Sequence, residues 1–411
     1  MHFGNQYQII MEENDIRVLI DNYHRKINKI SLRFKRYLYN QINWDARIIG
    51  IKGARGVGKT TLMLQHILEN YEDTDQVIYA SLDDFWFSNH SLFDLIDWAY
   101  QHGLHRIYLD EVHRYAQWQL ALKNIYDNYP DVNIVYTGSS LLSIDYAVAD
   151  LSRRQTLYTL HGLSFREYLA FEGITEIAPI PLKNLIDNHL HYAMDITKQI
   201  KVAPYFESYL EHGYYPFYKE SLTDFLDRLR QTASIAIDID LPSVEEVSFE
   251  TLIKIKRLLV IISEQVPFVP NMSSLWKELS TNNTLGIRML YALDRAGILS
   301  LVTNNIKNYK HLSKPDKIFL NDTNLMHALC TIVNKGSERE TFFHNQLSVG
   351  HKVSIPSQGD FLIDNTILFE VGGKRKTFEQ IKEESNGYLA VDDTEIGHAH
   401  RIPLWMFGLL Y

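Results

Sequence analysis

The most specific chemistry in the chain sits in one run, Gly53-Ala54-Arg55-Gly56-Val57-Gly58-Lys59-Thr60-Thr61. It satisfies the spacing G-x-x-x-x-G-K-[ST], the pattern of a loop that cradles phosphate. Its glycines let backbone N–H groups turn inward toward phosphate oxygens. The Lys59 ammonium is a point charge for the β- and γ-phosphates, and the Thr60 hydroxyl is suited to ligate Mg²⁺. Hydrolysis also calls for carboxylates. Ile107-Tyr108-Leu109-Asp110-Glu111 ends an apolar run in two of them. Asp110 is expected in the Mg²⁺ shell, and Glu111 is expected to polarise the attacking water. ATP and Mg²⁺ are therefore the expected cofactors.

Two further positions are candidates for the same chemistry. The run Asn133-Ile134-Val135-Tyr136-Thr137 ends in Gly138-Ser139-Ser140. Ser139 is chosen there to sense the γ-phosphate, over Thr137 and Ser140; the alternative is that these serines only cap a following helix. Arg154, in Ser152-Arg153-Arg154, is the candidate to stabilise transition-state charge. Its alternative is a surface salt bridge. If Arg154 reaches a neighbour's nucleotide, the working unit is an oligomer; if it acts within its own chain, a monomer suffices.

These residues need elements to hold them. Arg47–Ile51 reads as a short buried strand before the loop, and Thr61–Leu68 as a helix after it. Further strands are expected at Val77–Ser81, Ile107–Leu109 and Asn133–Thr137, so residues 46–165 form a parallel α/β core. Residues 1–45 are an N-terminal segment, with a helix expected over Asp21–Trp44 that carries Arg25, Lys26, Lys29, Arg33, Lys35 and Arg36. That basic face suits nucleic acid or an acidic partner, or is a solvated helix beside the core; the latter is favoured. Residues 166–249 read as a helical lid. Residues 250–330 read as three helices and a two-stranded wing, a winged-helix pattern. Residues 331–411 alternate short strands with a helix expected around Phe378–Ser385. The fold class is thus α/β: a P-loop NTPase sheet with a helical lid, a winged helix and a small α+β domain.

Composition bounds the rest. With 411 residues, 45% hydrophobic and 22% charged, the chain is long enough for several ordinary globular domains. A net charge of −9 argues against a globally basic nucleic-acid coat, while leaving room for local basic patches. A lone cysteine, Cys330, excludes an internal disulfide and a cysteine-based zinc site, which fits a reducing cytoplasm. No apolar run reaches the roughly 18 residues of a membrane span.

The combination of these motifs resembles a family of AAA-like predicted ATPases of bacteria and archaea. They carry a P-loop domain, a winged helix and a C-terminal domain similar to restriction endonucleases. The resemblance rests on the phosphate loop, Leu109-Asp110-Glu111-Val112-His113 with Trp118, and Thr137-Gly138-Ser139-Ser140. It continues through Ser152-Arg153-Arg154, Leu163-Ser164-Phe165-Arg166-Glu167-Tyr168, Gly213-Tyr214-Tyr215-Pro216 and Lys317-Ile318-Phe319-Leu320-Asn321-Asp322. Its last markers are Glu340-Thr341-Phe342-Phe343, Gly359-Asp360-Phe361, Phe369-Glu370-Val371-Gly372-Gly373-Lys374 and Ile402–Gly408. The family usually has glycine where this chain has Arg153, so Arg154 matches its arginine. The resemblance implies ATP binding and hydrolysis. The winged-helix and C-terminal modules are expected to act on DNA or RNA; the alternative is that they dock a protein partner.

It also implies a PD-(D/E)xK-type site of Asp360, Glu370 and Lys374, with Glu340 as a third acid. Such nucleases hold Mg²⁺ with acids from adjacent strands, and a lysine two residues after the second acid stabilises the attacking hydroxide. Here that position is Gly372, and the first lysine is Lys374. Either a bulge at Gly372-Gly373 brings Lys374 in, or the domain binds without cutting.

Overall fold

The alternation between residues 47 and 160 resolves into a five-stranded, all-parallel sheet. The computed structural model describes residues 13–138, 151, 153–243, 247–267, 269, 271–303, 314–381, 384 and 386–411. In chain order the first elements are α1 (Glu13–Ile27), β1 (Ile48–Lys52), α2 (Lys59–Asn70), β2 (Ile78–Ser81), α3 (Leu92–Gln101), β3 (Arg106–Asp110), α4 (Trp118–Asn128), β4 (Asn133–Gly138) and β5 (Thr156–Thr159). The strand order is β2-β3-β4-β1-β5. The four expected strands are present within a residue or two of the expected bounds. β5 was not expected, because its half-exposed Thr-Leu-Tyr-Thr has too few apolar residues to read as buried; it is found as an edge strand beside β1.

Side chains alternate across a sheet. Ile78, Ala80, Ile107, Leu109, Ile134 and Tyr136 face one way and pack with Leu92, Leu95, Ile96, Leu122 and Ile125 of α3 and α4. Tyr79, Tyr108 and Asp110 face the other way, where the Tyr108 hydroxyl meets His66 Nδ1 of α2 at 2.9 Å. Ile16 and Leu19 of α1 join the first of these cores.

The helix expected over Asp21–Trp44 is displaced. It starts earlier, ends at Ile27, and is followed only by a short 3₁₀ turn at Tyr37–Asn40. The Gln65 amide of α2 donates to the carbonyls of Ser31 and Phe34, at 2.7 and 2.8 Å. In a continuous helix those acceptors would serve the helix itself. Part of the basic stretch is taken up as well: Arg36 is buried and Lys35 pairs with Glu69, while Arg25, Lys26, Lys29 and Arg33 are exposed.

The chain forms two compact units. One holds the described residues of Met1–Gly53, Gly58–Ser139 and Ser143–Leu160; the other holds those of Ala54–Val57 and His161–Tyr411. The second unit contains α5 (Phe165–Phe171), α6 (Leu182–Thr197), α7 (Val202–Ser208), α8 (Phe225–Ile235), α9 (Phe249–Ser263), α10 (Met272–Glu278), α11 (Asn283–Arg295), β6 (Leu299–Val302), β7 (Lys317–Leu320), α12 (Thr323–Leu329) and α13 (Lys335–Leu347). β6 and β7 pair antiparallel. A second sheet follows, of β8 (Val353–Ser354), β9 (Phe361–Ile363), β10 (Ile367–Gly372), β11 (Gly387–Val391) and β12 (Arg401–Pro403), in the order β12-β11-β10-β9-β8.

The lid, three-helix and C-terminal segments expected from sequence fall within this one unit. Phe206 of α7 packs edge-on against Phe342 of α13 at 4.9 Å between ring centres, and Phe319 of β7 lies 5.9 Å from Phe361 of β9. The helix expected around Phe378–Ser385 is not formed by the described residues. Ile381 and Glu384 instead close successive i→i+3 turns, and Ile381 is buried against Leu368, Leu389 and Val391. The hairpin expected after Asp360 is present, with Asp364 and Asn365 both at positive φ, as a tight two-residue turn requires.

Two consequences can be measured. Gly50, in the interior strand β1, has the Tyr136 ring 2.6 Å from where a Cβ would stand. Gly50→Ala is expected to destabilise the first unit by about 1–3 kcal/mol in urea unfolding. His66 stacks on Trp44 at 3.8 Å, and burial lowers its pKa from 6.5 to about 4. A depressed histidine favours the folded state while neutral, so that contribution is present above pH 6.5 and is lost as pH falls toward 4. His66→Gln should remove that part of the acid slope.

Candidate nucleotide-binding site

β1 delivers the chain to Gly53, and α2 begins at Lys59 with Gly58 in the left-handed region, φ 98°. A side chain would be strained there, so the glycine is needed for the sharp entry into the helix. Lys59 is 4% exposed, and its ammonium donates to the Gly53 carbonyl at 2.9 Å. It therefore already spans the loop that phosphate would fill.

Asp110 ends β3 and is 2% exposed. Three hydroxyls donate to its carboxylate: Thr60 to Oδ2 at 2.7 Å, Tyr79 to Oδ2 at 2.9 Å, and Thr137 to Oδ1. A buried carboxylate needs such donors, because leaving it unpaired costs several kcal/mol. Oxygen donors from Thr60 and Asp110 thus converge within hydrogen-bond distance, a set that suits Mg²⁺.

Glu111 follows in the left-handed region, φ 53° and ψ 40°. This is uncommon for a residue with a side chain, and such strain clusters at functional sites. Its N–H donates to Thr137 Oγ1 at 3.3 Å, and its Oε2 lies 3.5 Å from Nε2 of the buried His113. Thr137, passed over in favour of Ser139 on sequence, is thus the strand-end hydroxyl that ties Asp110 to Glu111. Ser139 lies outside the described residues.

Arg154 is not brought to the phosphate loop. It pairs with Asp127 at 3.2 Å and lies over the Tyr126 ring. Asp127 is near the C-terminus of α4, which leads into the start of β4, and Arg154 precedes the start of β5. Both strands run parallel to β1, whereas Gly53 follows its far end. Arg154 therefore sits a strand's length away within its own unit, in the surface ion pair that was its alternative. Residues Ala54–Val57 group with the second unit. There Arg55 Nη2 lies 3.3 Å from Asp240, and Gly56, φ 84°, faces the Phe217 ring, with 2.7 Å left for a Cβ. Thr61 is the third residue of α2.

Residues 45–169 match the family described as an AAA domain. All the first-unit residues above fall inside that match, and this segment is of the AAA type. An uncharacterized protein of Methanocaldococcus jannaschii is 27% identical over 410 residues, spanning 90% of this chain and 86% of its own. Among solved structures, the Walker-type ATPase of Pyrococcus abyssi is similar at 12% identity over 79% of this chain and 97% of its own, with a TM-score of 0.38. AMPPCP-bound DnaA from Aquifex aeolicus is 12% identical over 71% of this chain and 93% of its own, with a TM-score of 0.23. Likeness at these scores carries no argument about function.

In the second unit the C-terminal acids do come together, but with a different lysine. Glu340 on α13 pairs with Lys317 of β7. Asp360 Oδ2 accepts from the Val371 N–H at 2.7 Å, and Glu370, fully buried on β10, pairs with Lys376 at 2.5 Å. Burial pushes the Glu370 and Glu340 carboxyls up, against the pull of these lysines. Lys374 is exposed, and its carbonyl accepts from Arg401. A Cβ at Gly372 would meet Lys376 Cδ at 2.7 Å, so the Lys376 stem lies where a lysine at 372 would begin. No sequence spacing reveals this. Among the described residues no group of three His, Cys, Asp or Glu side chains is placed to hold a metal ion.

Lys376→Met should therefore cost about 2 kcal/mol or more by stranding a buried carboxylate. Lys374→Met should stay within about 0.5 kcal/mol. Denaturant unfolding of the two variants separates them.

Proposed function

We propose that the chain is an ATP-binding and ATP-hydrolysing switch of the AAA type. The observation that carries this reading is the buried Asp110 carboxylate, joined to the Thr60 hydroxyl at the mouth of the phosphate loop. Gly53 to Thr61 would wrap the phosphates, and Lys59 would exchange the Gly53 carbonyl for a phosphate oxygen. Thr60 and Asp110 would hold Mg²⁺, which when bound offsets charge on the phosphates. Glu111, set beside this pair by its unusual backbone, would accept a proton from the attacking water. No arginine of the first unit is assigned to the transition state, and Arg154 serves its own chain as a surface ion pair.

For the partner we infer nucleic acid from the three helices with their two-stranded ribbon and from the exposed Lys374 and Arg375. A second reading, a protein partner, is favoured by a different observation. Phe249, Ile253 and Val260 of α9 are exposed by 78%, 45% and 61%, and their spacing places them on one helical face. Three exposed large apolar residues on one helical face suit an interaction surface. In either reading the C-terminal acid cluster, closed by Lys317 and Lys376, acts as a platform and does not cut.

Lys59→Ala should lose ATP binding, while Glu111→Gln should bind ATP normally and turn it over at least about 100-fold more slowly. Unchanged turnover in both would remove the site assignment. Stimulation of the ATPase by DNA or RNA supports the first partner reading, and its absence the second. No cleavage of single-stranded DNA, duplex DNA or RNA is expected with Mg²⁺ or Mn²⁺; cleavage abolished by Asp360→Ala and Glu370→Ala would overturn the platform role.

A further inference from the structure

One donor to Asp110 belongs to no nucleotide motif. Tyr79 lies in the edge strand β2, 4% exposed, with its hydroxyl 2.9 Å from Asp110 Oδ2. Lys26, in the last turn of α1, places its Nζ 3.1 Å from the same hydroxyl. An ammonium only donates, and an ionised carboxylate only accepts. The hydrogen-bond direction is therefore forced: Lys26 donates to the Tyr79 oxygen, which leaves the phenolic hydrogen for Asp110.

The geometry around this relay is built from several independent contacts. Tyr23 of α1 stacks on the Tyr79 ring at 5.6 Å and 23°. The Tyr23 hydroxyl donates to the Thr74 carbonyl at 3.1 Å, His24 meets Asp75 at 2.8 Å, and the Asn22 amide donates to Asp84 at 3.0 Å. These partners flank β2 on both sides, so α1 is clamped along the whole strand that carries Tyr79. On Asp110, Oδ2 receives both Thr60 and Tyr79. If the Thr60 hydroxyl turns to a cation, Tyr79 is the donor that stays on that oxygen and keeps it aimed.

We propose that Tyr79 is a positioning residue for Asp110, held in its donating orientation by Lys26, so that the N-terminal helix sets how tightly the nucleotide site takes its divalent cation. This rests on the reading of Asp110 as the cation carboxylate. It differs from a packing role, which would move stability and leave the cation requirement alone.

The test is binding of a fluorescent ATP analogue to the full chain, in EDTA and across a Mg²⁺ titration, with no turnover needed. Tyr79→Phe keeps the ring and should raise the Mg²⁺ concentration for half-maximal tightening by about 10-fold, the scale of one hydrogen bond to a charged group. Affinity in EDTA should stay within about 2-fold. Lys26→Met, on the exposed end of the relay, should shift Mg²⁺ dependence the same way by less, and Lys26→Arg should restore it. Asp110→Asn separates the two levels of the argument. A wild-type Mg²⁺ response in Tyr79→Phe alongside a lost one in Asp110→Asn overturns the proposal alone. An unchanged response in both overturns the reading of Asp110, and the proposal with it. Should Tyr79→Phe not fold, a wild-type Mg²⁺ response in Lys26→Met overturns the relay.

Discussion

A carboxylate in a nearly dry site is the constraint on which the first unit turns. Asp110 is 2% exposed, and an isolated charge there would cost several kcal/mol, a large share of the roughly 5–15 kcal/mol by which a domain is stable. Three hydroxyls from three different elements satisfy it. Thr60 requires α2 to start where it does, Thr137 requires β4 to lie beside β3, and Tyr79 requires β2 on its other side. The strand order and the phosphate loop are therefore linked through one side chain. Thr137 also accepts from the Glu111 N–H, which extends the same network to Glu111, the residue proposed to handle water.

The second unit meets a related problem differently. Glu340 and Glu370 are paired with lysines, and Asp360 accepts a hydrogen bond from one backbone N–H. Glycine at 372 makes this arrangement possible, since Lys376 occupies the space a side chain there would need. Ion pairs of this kind are costly to break singly, so Glu340–Lys317 ties α13 to β7, and Glu370–Lys376 ties β10 to the segment that follows it. The two acid clusters thus differ in their partners: hydroxyls that can turn toward an incoming cation in one, fixed positive charges in the other.

Much of this was legible in the primary structure, and the reasons are local. The spacing from Gly53 to Thr61 is a property of contiguous residues, and so is an aliphatic strand ending in Asp110-Glu111; chemistry that depends on chain-local geometry can be read along the chain. Strand positions 48, 78, 106 and 133 followed from short apolar runs, and the Asp364-Asn365 turn from its residue types. The readings that moved were those decided across the fold. The first helix ended at Ile27 because Gln65, over thirty residues on, takes the carbonyls of Ser31 and Phe34. Arg154 turned to Asp127 because parallel strands place the start of β5 at the opposite end of the sheet from Gly53. Lys374 yielded to Lys376 because a side chain can fold back over a glycine.

The sequence by itself determined the nucleotide loop, its two acids and the α/β alternation that carries them, since each is a pattern within one segment and backbone physics turns such patterns into elements. Only the tertiary structure decided which hydroxyls reach Asp110, which lysine closes on Glu370, and that Lys26 and Tyr79 join the site. Those pairings cross 31 residues from Tyr79 to Asp110 and 53 from Lys26 to Tyr79, and nothing in the spacing of residues along a chain encodes which side chains the packing of distant elements will bring within 3 Å.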